Sequence, residues 1–467
     1  MYFNIGTKLV KCQSATRQSF RSMYFNIGQK SNLCNLIKKE TLIMCNRTEI
    51  HIIKKSDDLF KIIDDLCWRS KNLYNYANYM VRQEFINTSK EKEQGLRKHA
   101  VWIKYQQLCK DCKTADCYKA MKASSSQKTL KLLDKDWKSF FEAIKIWKTN
   151  PEKFTGRPKL PGYKNKEHGR ANYIITNQCC RIIDGYLFFS SRDKSMEPFN
   201  HRFKTHIPEN AKLMQVRFHP NKDAFPSQYD IEVVYETECP EPKKDTDIVA
   251  AIDIGVDNFM TVVTNQKDIV PIVINGRKAK AMNQEYNKLI SEEKSRIKLR
   301  HNLDWSNECQ RLTDRRAMRL EDFYHKATTA VAEFCLKNNV SYVVCGHNLL
   351  WKQNCDMGKV NNQNFVYLGH TETIKKLTYK MEDRGIRFHE FEESYTSGTS
   401  FLDDESPNPE NYNKNRRVHR GLFQSNDGEY INADVNGAYQ IMKKVFPDMF
   451  VNGTDGYPRH PRIINVI

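Results

Sequence analysis

Asp253 interrupts an apolar run in the stretch IVAAIDIGVDNFMTVVT, residues 248–264. The β-branched residues on both sides of it, with the glycine that follows, predict a buried strand, a tight turn and a second strand. An unpaired carboxylate is costly to bury, so Asp253 requires a partner such as a metal ion, or a place at an open edge of the sheet. An ordinary hairpin with a solvated aspartate is the competing interpretation.

Asp434 is a second acidic residue at a boundary between two predicted elements. It lies in the stretch INADVNGAYQIMKK, residues 431–444, where a short apolar segment leads into an amphipathic helix. A carboxylate at the start of that helix can meet Asp253 across a shared site. The two aspartates are therefore the first candidates for a catalytic centre that uses carboxylates.

Three groups of residues in this chain carry a resemblance to a known family. Ala251 to Gly255 with Asn258, the Tyr395-Thr396-Ser397 triplet, and Asn432 to Asn436 stand in the order found in TnpB nucleases. Over most of residues 44–447 the chain resembles TnpB and its relatives, Fanzor and the type V CRISPR effectors. The resemblance implies a RuvC nuclease core with an RNase H-like fold.

The third carboxylate of that core departs from the family pattern. Cleavage by two Mg²⁺ ions about 4 Å apart needs several carboxylate ligands, so two aspartates are too few. A glutamate ends the fourth strand in the usual pattern. Here the strand residues Tyr342, Val343 and Val344 are followed by Cys345, Gly346 and His347. The departure leaves either an inactive site or a displaced ligand. His347 is a poorer candidate, because Mg²⁺ prefers oxygen ligands.

Glu392 and Glu393 supply acid at the end of the next predicted strand, residues 386–391. Neighbouring strands lie about 4.8 Å apart, so this strand is expected roughly 10 Å from the Asp253 strand, a gap that a Glu side chain bridges. Side chains alternate between the faces of a strand, and we predict that Glu393 points inward, with Glu392 as the alternative. Two solvated edge charges are the competing interpretation, and Asp257 is a further candidate.

The predicted catalytic and metal-binding residues are therefore Asp253, Glu393 and Asp434. Some TnpB lineages and Fanzor proteins are similar in having the glutamate relocated. The resemblance implies two Mg²⁺ ions as cofactors, with Mn²⁺ as a substitute, and hydrolysis of phosphodiester bonds in DNA.

The charge of the whole chain indicates a polyanionic partner. Lys and Arg outnumber Asp and Glu by 75 to 56, a formal net charge of +19 over 467 residues. Membrane-surface binding is the competing interpretation, but no segment pairs a basic face with a strong apolar one, and no apolar run approaches the ~20 residues of a membrane span. We predict nucleic-acid contacts by basic and aromatic residues of four regions, namely Arg157, Lys159, Lys298, Arg300, Arg315, Arg316, Trp351, Lys352, Arg416, Arg417 and Arg420.

The hydrophobic patterning divides the chain into regions of different period. A helical stripe with apolar steps of three and four falls within residues 57–150, and alternating segments precede and follow it. The predicted fold class is α/β with a β-barrel and a helical lobe. The regions are a leader, residues 1–43; a wedge-like β-barrel, residues 44–56 and 151–240; a helical recognition lobe, residues 57–150; a linker, residues 241–247; and a RuvC-like nuclease domain, residues 248–467, with a basic insertion at 399–430.

The 14 cysteines are scattered, which favours reduced thiols over a disulfide framework. Cys109, Cys112 and Cys117 cluster, and they are either a partial zinc site or incidental to a helical region. Many relatives carry a zinc ribbon where residues 399–430 stand, but this segment contains no cysteine, so no zinc is predicted there.

The function that the resemblance implies is an RNA-guided DNA endonuclease. Its expected partners are a guide RNA, held by the N-terminal lobes, and a double-stranded DNA target with a short adjacent motif. The protein is expected to act as a monomer or dimer on the guide, in the cytoplasm or nucleoid of a prokaryote or the nucleus of a eukaryote. A nuclease-inactive RNA-guided DNA-binding repressor is the alternative. A DNA transposase fits the metal site but not the large basic recognition region.

Overall fold

The computed structural model of the chain is a mixed α/β fold. It describes residues 44–190, 194–242, 246–347, 369–419 and 421–466. The predicted leader, residues 1–43, and the predicted nucleic-acid-binding residues Trp351, Lys352 and Arg420 lie outside the described residues. No helix in the described ranges is both long and apolar enough to cross a membrane.

Four helices separate the first strand from the second. The strand is β1 (Met44–Lys54), and the helices are α1 (Phe60–Glu93), α2 (Tyr105–Cys112), α3 (Asp116–Lys119) and α4 (Ala123–Thr149). The predicted apolar stripe is confirmed, because Leu130, Leu133 and Trp137 of α4 are fully buried. The Trp137 indole Nε1 donates to Asn78 Oδ1 on α1 at 3.0 Å, which satisfies the polar atom of this buried ring.

An antiparallel sheet joins the chain before and after these helices. Its further strands are β2 (Tyr173–Thr176), β5 (Lys212–Pro220) and β6 (Gln228–Glu238), and a separate hairpin consists of β3 (Cys180–Ile183) and β4 (Tyr186–Phe189). The order is β1-β6-β5-β2. At the turn between β3 and β4, Asp184 and Gly185 have φ of 50° and 76°, as a two-residue turn of this kind requires.

The predicted closed barrel is wrong for the strands that the structure describes. β1 and β2 are the two edges of an open four-stranded sheet, and the β3–β4 hairpin forms a sheet of its own. Closure requires every strand to have two neighbours, but β2 is only four residues long and pairs with β5 alone.

One pair of cysteines corrects the expectation of reduced thiols. Cys45 on β1 and Cys239, just after β6, form a disulfide with their Cα atoms 5.7 Å apart. The antiparallel pairing of β1 with β6 brings together residues that are 194 positions apart in the chain. Eight other cysteines of the described residues are free thiols, namely Cys67, Cys109, Cys112, Cys117, Cys179, Cys180, Cys309 and Cys345. Cys109, Cys112 and Cys117 lie on α2 and α3, and the described residues contain no metal-binding group around them.

The second half of the chain is built on a six-stranded sheet. Its strands in chain order are β7 (Val249–Ile254), β8 (Asn258–Thr264), β9 (Ile272–Asn275), β10 (Tyr342–Gly346), β11 (Arg387–Phe391) and β14 (Arg462–Ile464). A separate small hairpin, β12 (Leu422–Gln424) and β13 (Tyr430–Asn432), precedes β14 in the chain. The order across the sheet is β11-β10-β7-β8-β9-β14. The predicted hairpin is confirmed, because β7 and β8 are antiparallel neighbours. The predicted place of the fifth strand is also confirmed, since β11 lies two positions from β7 and parallel to β10.

Helices cover both faces of this sheet. They are α5 (Arg277–His301), α6 (Asn307–Lys337), α7 (His370–Glu382) and α8 (Ala433–Val445). The buried residues of α6 and α7 pack on one face, and those of α8 pack on the other around Ala251, Val263 and Val344. The chain between β9 and β10 forms two helices, because Asn302 adopts a left-handed conformation that ends α5 and Ser306 caps the start of α6.

Candidate active site

Asp253 lies near the end of β7, on the face of the sheet that α8 covers. Its partner on β8 is Thr261, so the two side chains lie on the same face. On the other side, Cys345 of β10 pairs with Ile252, which makes Gly346 the next residue in the row that contains Asp253. The Thr261 hydroxyl is fully buried and has no hydrogen-bond partner within the described residues.

Helix α8 comes very close to this row at Gly437. A Cβ atom at Gly437 would lie 2.8 Å from Oδ2 of Asp253. The start of α8 is held by Asn432, whose side-chain oxygen accepts from the backbone N–H groups of Asp434 and Val435 at 3.0 and 3.1 Å. This cap places Asp434 in the first turn of the helix, at the edge of the site.

The carboxylate of Asp434 has two partners. Asn258, the first residue of β8, donates its Nδ2–H to Oδ2 of Asp434 at 2.6 Å. The guanidinium of Arg417 lies 3.5 Å from Oδ1, and 43% of the Arg417 side chain is exposed. Asn258 therefore orients Asp434 firmly, and Arg417 makes a long, solvent-exposed ion pair with it.

Glu393 and Glu392 follow β11 and have different surroundings. Oε2 of Glu393 lies so close to Gly346 that a Cβ atom on Gly346 would collide with it. This oxygen is buried and has no hydrogen-bond partner in the described part of the chain. The side chain of Glu392 is 56% exposed and its Oε2 accepts from Lys444 Nζ at 2.9 Å. Lys444, on α8, also donates to the backbone oxygen of Ser394 at 3.0 Å.

The surroundings of Asp253 and Glu393 make both carboxyl groups harder to ionise. The pKa of Asp253 is raised to about 7, mainly by burial and also by the charge of Asp434, while Arg417 opposes the rise. The pKa of Glu393 is raised to about 9, mainly by burial and also by the charges of Asp253 and Glu392, while Lys444 opposes the rise. Each carboxyl group is therefore more readily ionised if a cation is placed between them.

The chemistry of these residues fits a divalent cation. The donors are carboxylate oxygens, and the orphaned Oε2 of Glu393 near the carboxylate of Asp253 is the arrangement that a cation would relieve. Among the described residues, no three His, Cys, Asp or Glu side chains lie close enough together to hold a metal ion. The carboxylate of Asp434 is instead bound by Asn258 and Arg417.

The two other candidates for a third ligand have partners of their own. Asp257 forms an ion pair with Lys280 on α5 at 2.9 Å. The Nδ1 atom of His347 lies 3.0 Å from Oε2 of Glu390, a residue of β11. Both side chains are thus bound to neighbours other than Asp253.

The predicted nucleic-acid-binding arginines of the 399–430 segment divide into two kinds. Arg416 is only 16% exposed and binds Glu405 at 2.6 Å, with a second bond to Asn426 Oδ1 at 2.7 Å. Its neighbour Arg417 faces Asp434 and solvent. Arg416 therefore links the loop at Glu405 to the turn between β12 and β13, whereas the guanidinium of Arg417 is available at the edge of the site.

The predicted nucleic-acid-binding residues outside that segment also differ in their surroundings. Arg316 donates to Asn283 Oδ1 at 2.6 Å and lies over the ring of Tyr286, so it links α6 to α5. Lys298 pairs with Asp304 at 3.0 Å on the surface. The remaining ones are exposed, namely Arg157, Lys159, Arg300 and Arg315. Their contacts with nucleic acid stay a prediction.

Sequence reasoning did not identify Thr261, Gly437 or Lys444 as neighbours of the carboxylates, and it named Gly346 only as the place where a glutamate is missing. A signal existed for Gly437, because a glycine inside a helix costs about 1 kcal/mol relative to alanine and usually has a packing reason. The other three depend on contacts between distant parts of the chain.

Two family matches cover most of the second half of the chain. Residues 232–352 match the OrfB_IS605 family, described as a probable transposase. Residues 370–441 match the Cas12f1-like TNB domain. The first match contains Asp253 and Gly346, and the second contains Glu393 and Asp434. A search of curated proteins found no relative.

Several solved structures are similar to this chain over most of its length. A Cas12f1–sgRNA–target DNA complex has a TM-score of 0.47 and 14% identity, covering 81% of this chain and 82% of that chain. A CRISPR-Cas12f ternary complex has a TM-score of 0.34 and 12% identity, covering 81% of each. CasPhi-2 (Cas12j) bound to crRNA and phosphorothioate-DNA has a TM-score of 0.36 and 9% identity, covering 90% and 93%.

The two family matches follow each other along the chain, and between them they include the three carboxylates of the candidate site. The matched part of this chain, residues 232–352 and 370–441, is therefore similar to the OrfB_IS605 family and to the Cas12f1-like TNB domain.

Proposed function

We propose that this chain is an RNA-guided DNA endonuclease with a RuvC-type, RNase H-like catalytic domain. The observation that carries the proposal is the position of Glu393, whose buried and unpartnered Oε2 lies at the end of β10 beside Asp253. A carboxylate reaches that place although β10, the fourth strand of this sheet in chain order, has no glutamate of its own. The strand order, with β7 at the centre, an antiparallel β7–β8–β9 and parallel β10 and β11, supports the RNase H-like assignment.

Asp253, Glu393 and Asp434 are the residues that would hold the metal ions in this proposal. Bound Mg²⁺ supplies Lewis-acid stabilisation of the phosphate and an activated water at neutral pH. Asn258 keeps the Asp434 carboxylate oriented through a 2.6 Å hydrogen bond. Helix α8 covers Asp253 closely, which excludes water from one side of that carboxylate and strengthens electrostatic interactions there.

Arg417 is the residue of this chain best placed to bind the scissile phosphate. Its ion pair with Asp434 is long, at 3.5 Å, and exposed, so little free energy is lost when the guanidinium exchanges a carboxylate oxygen for a phosphate oxygen. Guanidinium groups bind phosphate through two parallel hydrogen bonds. Arg417 would thus orient the DNA backbone over the three carboxylates.

The proposed partners are a guide RNA and a double-stranded DNA target with a short adjacent motif. The formal net charge of +19 supports binding of this much nucleic acid. We propose that helices α1–α4 form the recognition lobe and that the open sheet of β1, β2, β5 and β6 takes the place of the wedge. Residues 248–467 would then form the nuclease domain.

The test begins with the RNA that copurifies with the protein, which is sequenced and used to design a matching DNA target. Asp253→Ala and Asp434→Ala should each abolish Mg²⁺-dependent cleavage of that target while guide binding stays nearly intact, because these residues ligate ions and do not contact the RNA. Cleavage at wild-type rates in either variant would defeat the assignment of the site.

A nuclease-inactive RNA-guided DNA-binding protein is the second candidate. The contact between Arg417 and Asp434 favours it, because it occupies a carboxylate that an active site would use. This candidate predicts tight binding of the matched target with no cleavage in either Mg²⁺ or Mn²⁺. Cleavage of the target in either ion would exclude it.

A further inference from the structure

Gly346 ends β10 at the point where the side chains of two other elements meet. A Cβ atom at this position would collide with Oε2 of Glu393 and would lie 2.5 Å from Cδ1 of Ile441 on α8. Both distances are far shorter than a van der Waals contact. No side chain larger than hydrogen fits at position 346 while Glu393 and Ile441 keep their positions.

The backbone does not itself require glycine at this position. Gly346 is absent from the positive-φ glycines, so a residue with a side chain can adopt its conformation. The two atoms that a Cβ would meet are the far ends of side chains, and these can move without unfolding the sheet. The glycine therefore matters for the space it leaves to its neighbours.

The backbone around Glu393 is held in place by several hydrogen bonds. Thr396 Oγ1 donates to the Glu393 carbonyl at 2.8 Å. Lys444 holds the neighbouring residues, since it donates to Ser394 O at 3.0 Å and to Glu392 Oε2 at 2.9 Å. Because these bonds hold the turn to α8, a group added at Gly346 would displace the Glu393 carboxylate and leave the turn where it is.

We propose that Gly346 is a positioning residue, whose missing side chain reserves the space in which the Glu393 carboxylate lies beside Asp253. The inference rests on the proposed function in taking Glu393 as the third acidic group of the site. On this view the absence of a glutamate on the fourth strand and the use of Glu393 are two parts of one arrangement. A carboxylate reaching in from β11 occupies the volume that a side chain on β10 would fill.

The test follows the position of Glu393 directly, by carbodiimide-mediated coupling of glycine ethyl ester to carboxyl groups and mass spectrometry of the metal-free protein. In the wild-type protein Glu393 should be labelled slowly. In Gly346→Ala its labelling should rise several-fold, because the carboxylate is pushed out of its buried place. Glu392 is the internal control, since it is already exposed and should be labelled equally in both proteins.

Mn²⁺ binding to the same proteins provides a second measurement that needs neither guide nor target. Gly346→Ala should bind Mn²⁺ at least ~10-fold more weakly, the scale observed when a partner that orients a metal ligand is removed. Val343→Ile adds one methyl group to the other face of β10 and should leave Mn²⁺ binding unchanged. Thermal unfolding of both variants shows whether the fold is kept.

The double variant Gly346→Ala/Glu393→Ala distinguishes a role through Glu393 from any other role. If Gly346 acts by making space for Glu393, then Gly346→Ala should cost no further Mn²⁺ affinity once Glu393 is truncated. An equal loss in both backgrounds would overturn the proposal, and so would unchanged labelling of Glu393 in Gly346→Ala. Increased labelling with unchanged Mn²⁺ affinity would support the role of Gly346 and would instead defeat Glu393 as a ligand in the proposed function.

Discussion

Glu392 and Glu393 are neighbours in the chain, but the structure gives them opposite surroundings. The Glu392 carboxylate is in solvent with Lys444, and the Glu393 carboxylate is buried against Gly346. Alternation along an extended chain accounts for the difference, because successive side chains point to opposite sides. A chemical role for one of the pair therefore predicts a small role for the other.

Glu393→Gln should reduce cleavage nearly as much as the loss of either aspartate. The substitution keeps the size of the side chain and its ability to form hydrogen bonds, but it removes the charge that would bind a cation. Glu392→Gln is the matched control and should change cleavage little. Cleavage of a matched target under single-turnover conditions measures both. Equal tolerance of the two variants in an active enzyme would turn attention to His347 or Asp257.

Glu393 should also make the metal-free protein less stable as the pH rises. Its pKa is about 9 in the folded protein against an ordinary value of 4.5, so the folded state binds the proton more tightly than the unfolded state between these values. The free energy of unfolding therefore falls as the pH rises from 5 to 9. The same sign holds for Asp253, whose pKa is about 7.

Glu393→Gln cannot ionise, so its stability should depend less on pH. In buffer with a chelator it should match the wild-type protein at about pH 5 and exceed it near pH 9 by on the order of 1 kcal/mol or more, since one pKa unit corresponds to about 1.4 kcal/mol. Thermal unfolding at a series of pH values provides the comparison. Parallel curves for the two proteins would contradict the buried position of Glu393. Glu392→Gln should follow the wild-type curve.

At the scale of elements, the segment from 399 to 430 is held together without cysteine ligands. Asp403 accepts two hydrogen bonds from the backbone N–H of Asn426, and Arg416 joins Glu405 to Asn426. The ring of Phe401 stacks on Tyr439 of α8 with their centroids 4.3 Å apart. Polar bonds and aromatic packing thus join this segment to the helix that carries Asp434.

Adjacent arginines in this segment should have separable effects. Arg416→Gln should lower the free energy of unfolding by roughly 1–3 kcal/mol, because it leaves the mostly buried carboxylate of Glu405 with neutral donors and no cationic partner. Arg417→Gln should leave stability nearly unchanged and reduce cleavage, because its ion pair is exposed and its proposed partner is phosphate. Denaturant unfolding and cleavage assays on both variants test this. A stability loss confined to Arg417→Gln would reverse the two roles.

At the scale of the whole molecule, charge sets how the protein meets nucleic acid. Its formal net charge is +19, and several predicted contact residues of the second half are exposed on α5 and α6. Binding along a polyanion releases condensed counterions, which makes affinity depend on salt. This effect comes from the summed charge and does not depend on any single arginine.

The affinity for guide RNA or for the target duplex should fall by ~10³ or more between 50 and 200 mM salt if six or more phosphates are neutralised. Fluorescence anisotropy across a salt series gives the slope. Arg300→Gln and Arg315→Gln, at exposed positions, should each reduce the slope by about one phosphate contact if they bind the backbone. A flat salt response would remove the electrostatic argument for a nucleic-acid partner.

The amino-acid sequence alone was sufficient for those features that depend on local pattern. The β7–β8 hairpin, the strand two positions away that leads to Glu393, and the buried stripe around Trp137 all follow from side-chain periodicity over a few residues. The same periodicity predicted which of the two glutamates points inward. Such features are encoded locally because each residue's direction is set by its own backbone.

Only the tertiary structure decided which distant groups share space. The sheet of β1, β6, β5 and β2 is open, and the pairing of the neighbouring strands β1 and β6 brings Cys45 to Cys239. Arg416 is bound within the insertion while Arg417 faces Asp434, although both are arginines in the same loop. The fit of Glu393 into the space above Gly346 depends on β10, β11 and α8 together. Contacts of this kind depend on packing between elements, and no local pattern in the chain records them.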